Sequence, residues 1–250
     1  MNVFDKALLF GNPLDPYAFK GVGECASNSD IITHFHTPVT TATSVLGIAF
    51  NDGVVIAADL LASYGSLARF KNCPRILKVN KNTVIGVGGD YADYQYLKEL
   101  INGKIIGEEC LEDDIYIKPA SLHCWLTRVM YNRRSKVDPL WNNIIVGGIQ
   151  EGKPFLGSVD KLGTAFEDKI IATGYGAYIA IPLLRDAVDK KPELNAQEAT
   201  EILKKCMEVL YYRDARSWNK YEMAVITSTS CEVQGPIEIK ADWNIAHKIV

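Results

Sequence analysis

No two of the six cysteines form a CxxC pair, and the four histidines show no zinc-type ligand spacing. Cys25, Cys73, Cys110, Cys124, Cys206 and Cys231 stand singly, which argues against a structural zinc site and a thioredoxin-type redox motif. No apolar run approaches the roughly 20 residues that span a bilayer. Positive charge is not in excess: Lys+Arg number 27 against Asp+Glu 30, a formal net charge of -3. Neither nucleic acid nor an anionic membrane is therefore expected as the main partner. The N-terminus lacks the basic, apolar, small-residue order of a secretory signal. With unpaired cysteines, this sets a reduced, intracellular compartment as the expectation.

The 250 residues, 48% hydrophobic and 23% charged, have an ordinary globular composition. Residues 1–36 carry Gly, Pro, Asn, Ser and Asp without a steady period and read as an irregular leader. The pattern changes at Thr43. "TSVLGIAF" reads as an apolar strand, "NDG" as a hairpin turn and "VVIAAD" as a second strand. "SYGSLARFKNCP" reads as a loop, and "RILKVN" and "TVIGVGGD" as another hairpin. Tyr91, Tyr94, Leu97 and Ile101 recur at helical spacing, as does "PASLHCWLTRVMYNRRSK", which has Pro119 near its start. Further strands follow at "WNNIIVGGI" and "KPFLGSVDKLGTAFE". "AYIAIPLLRDAVD" predicts a helix kinked by, or starting late at, Pro182. "NAQEATEILKKCMEVLYYRDA" predicts a second helix capped by Asn195. "YEMAVIT" and "EVQGPIEIK" close the strands, and "DWNIAH" suggests a last helical turn. Strands, two helices, strands, two helices, strands: this order predicts an α+β fold, a four-layer αββα sandwich.

Several smaller features invite a functional reading. "GVGGD" after a strand suggests a phosphate loop, but the GxGxxG pattern is incomplete and no Walker lysine follows. No cofactor is expected. "RVMYNRRSK" places cations at a helix end, where they suit the dipole and could also meet a neighbouring chain. "DARSW" carries an arginine and a tryptophan, both frequent at interface hot spots.

Five ordered blocks, "TSVLGIAFNDGVVIAAD", "GSLARF", "GVGGDYADYQYL", "ATGYGAY" and "LYYRDARS", resemble proteasome β-type subunits of the N-terminal-nucleophile hydrolase superfamily. "YGSLARF", "RRSKVDPLWN" and "LYYRDARS" are similar to the non-catalytic branch at the seventh position of the β ring. The resemblance implies a leader over residues 1–36 and one β-type domain over 37–250. It implies other β subunits in a seven-membered ring, the α ring and the opposite β ring as partners, with assembly chaperones besides. It places the particle in cytoplasm and nucleus.

In active members of this family the first mature threonine attacks a peptide carbonyl and its own α-amine is the base. The resemblance puts Thr43 at the nucleophile position, Asp59 at the aspartate ending the second strand and Gly89 at the oxyanion donor. Asp214 and Ser217 fall on the late polar pair. Arg75 stands where the family requires a lysine, and arginine does not give up its proton. Trp218 and Tyr175 stand where small residues are expected, and Ala42 precedes Thr43 where self-cleaving members have glycine. These departures point to a vestigial site and a structural subunit. An active threonine endopeptidase with Thr43 as nucleophile is the alternative, and a free-standing hydrolase of the superfamily is a third reading. The resemblance also implies a cut near Thr33 to His36. That would leave "TPVTTA" as an extension that blocks the α-nitrogen of Thr43 and lies along the next subunit.

Overall fold

The strand Gly53–Asp59 (β3) is buried along its whole length, because both of its faces are covered. Val54, Ile56 and Ala58 face one apolar cluster, and Val55 and Ala57 the other. Such two-residue alternation is what the pleat imposes. The same alternation recurs in the strand Asn142–Gln150 (β8), where Ile145 joins the middle cluster while Ile144 and Val146 join a third. Three apolar layers in series therefore separate four structural layers.

The computed structural model describes residues 37–112 and 115–244. The expected leader, the cut near Thr33 to His36, Cys25, His34, His36 and His247 lie outside the described residues. The other strands are Thr40–Ala42 (β1), Val45–Phe50 (β2), Ala62–Tyr64 (β4), Leu67–Phe70 (β5), Ile76–Asn80 (β6), Thr83–Asp90 (β7), Lys153–Val159 (β9), Ala165–Glu167 (β10), Ile170–Ala172 (β11), Lys220–Thr227 (β12) and Cys231–Glu238 (β13). Four helices complete the set: Tyr91–Glu109 (α1), Pro119–Ser135 (α2), Gly176–Lys190 (α3) and Ala196–Arg213 (α4).

One sheet runs β10-β9-β8-β7-β1-β4-β5, with β6 also paired to β7; the other runs β11-β2-β3-β12-β13. Every pairing is antiparallel. The helices α1 and α2 cover the first sheet through Leu97, Ile101, Leu126 and Met130. The helices α3 and α4 cover the second through Leu184, Leu203 and Leu210. The expected αββα sandwich is the observed one.

Local chemistry fixes the helix ends. The Asp90 carboxylate accepts from the Ala92 N–H at 2.8 Å and caps α1. That carboxylate already sits where a phosphate loop would hold its anion, so "GVGGD" serves the helix itself. Asn195 and Glu198 form a reciprocal capping box at the start of α4.

Several sequence readings change. "SYGSLARF" is a hairpin of β4 and β5 rather than a loop, and β11 was not anticipated. The helix α3 begins at Gly176, ahead of Pro182, so there is no late start. Arg133 at the end of α2 pairs with Asp138 of its own chain at 2.8 Å. The expected last turn is short and 3-10 in kind at Trp243 and Asn244, and Ile245, Ala246 and His247 of "DWNIAH" lie outside the described residues.

Candidate active site

The chain leaves one sheet and enters the other at Thr43 and Ser44. Ahead of them β1 belongs to the eight-stranded sheet, paired Thr40–Tyr64, Thr41–Ser63 and Ala42–Ala62 on one side. On its other side it pairs Thr41–Asp90 and Ala42–Gly89. Behind them β2 opens the five-stranded sheet. "TSVLGIAF" is therefore not one strand. Thr43 lies in the crossover, and Arg75 fastens that crossover to both sheets.

Arg75 is 1% exposed. A guanidinium carries five N–H donors, and each finds an acceptor here. Nε donates to the Asp59 carbonyl at 2.9 Å. Nη1 donates to the Thr43 carbonyl at 2.8 Å and the Val87 carbonyl at 3.2 Å. Nη2 donates to the Ser44 carbonyl at 3.0 Å and to Asp59 Oδ1 in a short charged contact. Asp59 also accepts the Trp218 backbone N–H at 3.1 Å. Sequence reasoning established that arginine cannot do a lysine's proton chemistry. It did not reveal that this arginine ties together the crossover, the end of β3 and the middle of β7.

Burial pushes the Asp59 carboxyl up to about 6, against the opposing pull of Arg75 and of the Trp218 N–H. A raised folded-state value means that the folded chain holds this proton more tightly than the unfolded chain does. The associated stability is full below the ordinary value near 3.8 and is lost as pH rises through about 6. From about pH 5 to about pH 7.5 this group alone should remove on the order of 1 kcal/mol. Asp59→Asn should abolish that slope. Pulse proteolysis of wild type and variant in the assembled state, at the two pH values, checks it, and parallel slopes would refute the assignment.

The Thr43 hydroxyl donates to Asp214 Oδ2 at 2.7 Å, while the Ser44 hydroxyl lies farther off, at 3.4 Å. Asp214 terminates α4 and is buried. Ser217, expected beside the nucleophile, turns its hydroxyl to the helix end, toward the Asp214 carbonyl at 2.8 Å and the Leu210 carbonyl at 3.0 Å. Gly89 has φ +102, in the left-handed half of backbone space, and pairs with Ala42 and Asn142. Tyr175 starts α3 with its side chain 63% exposed. Trp218 reaches the site by its backbone, and its ring lies 4.9 Å from Lys71 Nζ. Arg216 is engaged with the Gly65 carbonyl of its own chain.

Two polar residues at this crossover carried no signal in the sequence. Ser44 Oγ accepts the Gly176 N–H at 2.8 Å, and Thr173 Oγ1 accepts the Val45 N–H at 3.0 Å. Both contacts join residues more than 120 positions apart, 132 and 128 respectively. Asp90, besides capping α1, accepts the Val39 N–H at 3.0 Å, a tertiary contact.

Chemically, in the uncut chain Thr43 has a hydroxyl bonded to a carboxylate and a nitrogen that is an amide between β1 and β2. An amide nitrogen is not a base, and a carboxylate holds protons too weakly near neutral pH to strip an alcohol efficiently. Over Thr40–Ala42 the expected extension lies between β4 and β7 of its own sheet.

A family model described as proteasome subunit matches residues 39–226. The chain is similar to "Proteasome subunit beta type-4" of Xenopus laevis, 53% identical over 225 residues that cover 90% of this chain and 93% of that one. It is similar to the protein of the same name in Drosophila melanogaster, 46% identical over 217 residues, 86% of this chain and 81% of the other. It is also similar to "Proteasome subunit beta type-7" of Saccharomyces cerevisiae, 43% identical over 197 residues, 76% and 74% of the two chains. The sandwich, the blocks at the crossover and these likenesses agree: the chain belongs to the proteasome subunit family, as a β-type subunit.

Proposed function

We propose that this chain is a non-catalytic β subunit whose work in the core particle is structural. The observation that carries the reading is Arg75. Where catalysis wants a lysine near the hydroxyl, an arginine has all five donors engaged by carbonyls and Asp59. A group so occupied cannot assist deprotonation of Thr43, and it cannot move without unfastening the crossover. The strand β1 supports the same reading. It holds the peptide nitrogen of Thr43 inside the chain and lies against Gly89, whose backbone N–H would otherwise face an incoming carbonyl.

On this reading the chain offers faces to β-ring neighbours in a seven-membered ring, to the α ring and to the opposite β ring. It helps to hold the chamber in which other subunits cut substrates delivered by the ubiquitin- and ATP-dependent route. It works where the particle does, in cytoplasm and nucleus. Its leader, residues 1–36, is removed near Thr33 to His36 by the active sites of neighbours, and the remaining extension keeps Thr43 internal.

Thr43→Ala in fully assembled particles is the test. Each peptide-cleavage specificity of the particle should stay within experimental error of wild type. Loss of one specificity class, or a mature chain that begins at Thr43 itself, would favour the active endopeptidase. A stable free monomer of 27.7 kDa as the main cellular form would favour the free-standing hydrolase.

A further inference from the structure

The last turn of α4 contains two adjacent tyrosines, Tyr211 and Tyr212, and the chain comes back over them after β13. The Ile239 N–H donates to the Asn219 carbonyl at 2.7 Å, and Asn219 Nδ2 donates to Glu238 Oε1 at 3.1 Å. The Asp242 N–H then donates to the Tyr212 hydroxyl at 2.6 Å. The Trp243 ring meets both tyrosines in T-shaped contact, with its centroid 5.0 Å from that of Tyr212 and 5.8 Å from that of Tyr211. Rings so arranged attract beyond the area they bury, because the positive edge of one faces the negative face of the other. Residues 239–244 therefore form a strap across the end of α4.

The same helix end reaches the crossover. Just past Tyr212, Asp214 accepts the Thr43 hydroxyl at 2.7 Å with one oxygen and the Arg216 N–H at 2.9 Å with the other. A little further on, the Trp218 N–H donates to Asp59 at 3.1 Å. Both contacts issue from residues 214–218. That segment is bounded on one side by the strapped tyrosines and on the other by Asn219, itself bonded to Glu238 and Ile239. Helix ends fray readily, because their last carbonyls lack partners within the helix. The bonds that Ser217 makes to the Leu210 and Asp214 carbonyls come from within the segment itself; the strap holds it from outside. Trp243 is 56% exposed, so the strap opens at lower cost than the sheets it lies beside.

We propose that residues 239–244 are a conformational latch, with Trp243 and Tyr212 as positioning residues: closed, the strap sets the last turn of α4 so that Asp214 meets Thr43, and open, it loosens the crossover. The coupling runs through one contiguous set of contacts, Trp243 to Tyr212, Tyr212 along the helix to Asp214, and Asp214 to Thr43. It links a surface segment near the C-terminal end of the described chain to the point where the chain passes from one sheet to the other.

Hydrogen exchange of the full chain in purified particles is the test. Trp243→Ala should speed exchange about tenfold at the end of α4 and also at the crossover, while α2 keeps its wild-type rate. The reporter at the crossover is the Val45 N–H, which is bonded to Thr173 Oγ1. Trp243→Phe keeps an aromatic edge against the tyrosines and should stay within about twofold of wild type. Tyr212→Phe removes only the acceptor of the Asp242 N–H, a contact within the chain, and should fall between the two. In an Asp214→Ala background, Trp243→Ala should add less than about twofold at the crossover, because the connecting carboxylate is gone. If the alanine variant at Trp243 does not enter particles, Tyr212→Phe is read with the same reporter. Faster exchange confined to the strap and the helix end, an equal rise throughout the chain, a phenylalanine at 243 as loose as the alanine, or full additivity with Asp214→Ala would each overturn the latch.

Discussion

Arg75→Met should destabilise the chain by about 3–5 kcal/mol, the range for removing one partner of a buried ion pair. The reason is what stays behind. The Asp59 carboxylate would be left in an apolar interior with the Trp218 N–H as its remaining donor. The carbonyls of Thr43, Ser44, Asp59 and Val87 would each lose the bond that Arg75 supplies. A buried acceptor without a donor costs about 1–3 kcal/mol, so the upper end of the range is the better expectation. Arg75→Lys should recover only part of the loss, because an ammonium presents three donors from one point and cannot span two sheets. Nor should that change awaken Thr43, whose nitrogen, on the proposed processing, remains an amide. Pulse proteolysis of the chain in assembled particles reads the stability, and a covalent threonine-directed inhibitor reads the chemistry. A Met variant as stable as wild type, or labelling of the Lys variant, would remove Arg75 from the centre of this account.

Gly89→Ala should cost about 4 kcal/mol, combining forbidden backbone strain with overpacking. With φ +102, an L side chain there is strained before it meets anything, and an added Cβ would lie 2.0 Å from the Trp141 carbonyl oxygen. The nearest obstacle is backbone of the chain leading into β8, which cannot swing aside. Gly152 supplies the control. It has φ +76 and open space around it, so Gly152→Ala should cost about 1 kcal/mol, from backbone strain alone. Thermal melts of both variants separate the two terms. Equal losses at the two positions would mean that Gly89 is needed only for its φ. A larger loss at Gly89 would mean that sheet packing, beyond its φ, keeps this glycine in the chain, whatever becomes of the catalysis.

The layer order was legible because burial writes itself into β2, β3, β7 and β8 as apolar runs, and into α1, α2 and α4 as helical spacing. Four short strands, β1, β4, β5 and β11, were not. β1 is threonine-rich, and its partners Ser63, Ala62 and Gly89 are distant in the chain. β5 is exposed along its length and so has no burial pattern to read. β11, Ile170–Ala172, is three residues long and has meaning only beside β2. At the site, Thr43 and Asp214 were brought together as the family resemblance implied, at 2.7 Å. Ser217 spends its hydroxyl on the end of α4, local bonding open to any serine three residues past its C-terminal carbonyls. Residue type alone told what Arg75 cannot do; only the fold tells what it holds.

The crossover also constrains the routes by which such a chain can change. An active threonine needs a free amine, a lysine and an empty groove beside Gly89. Here the amine is tied up in β1, the lysine position is a fastening for two sheets, and the groove is filled by Thr40–Ala42. Each single reversal weakens the fold without yielding any hydrolysis that selection could favour. Cutting at Thr43 would strip the eight-stranded sheet of a strand, and trading Arg75 for lysine would loosen the crossover. On the proposed reading, loss of chemistry in this subunit works as a ratchet: the parts of the old site have become one another's supports, and the path back runs through intermediates that are both less stable and still silent.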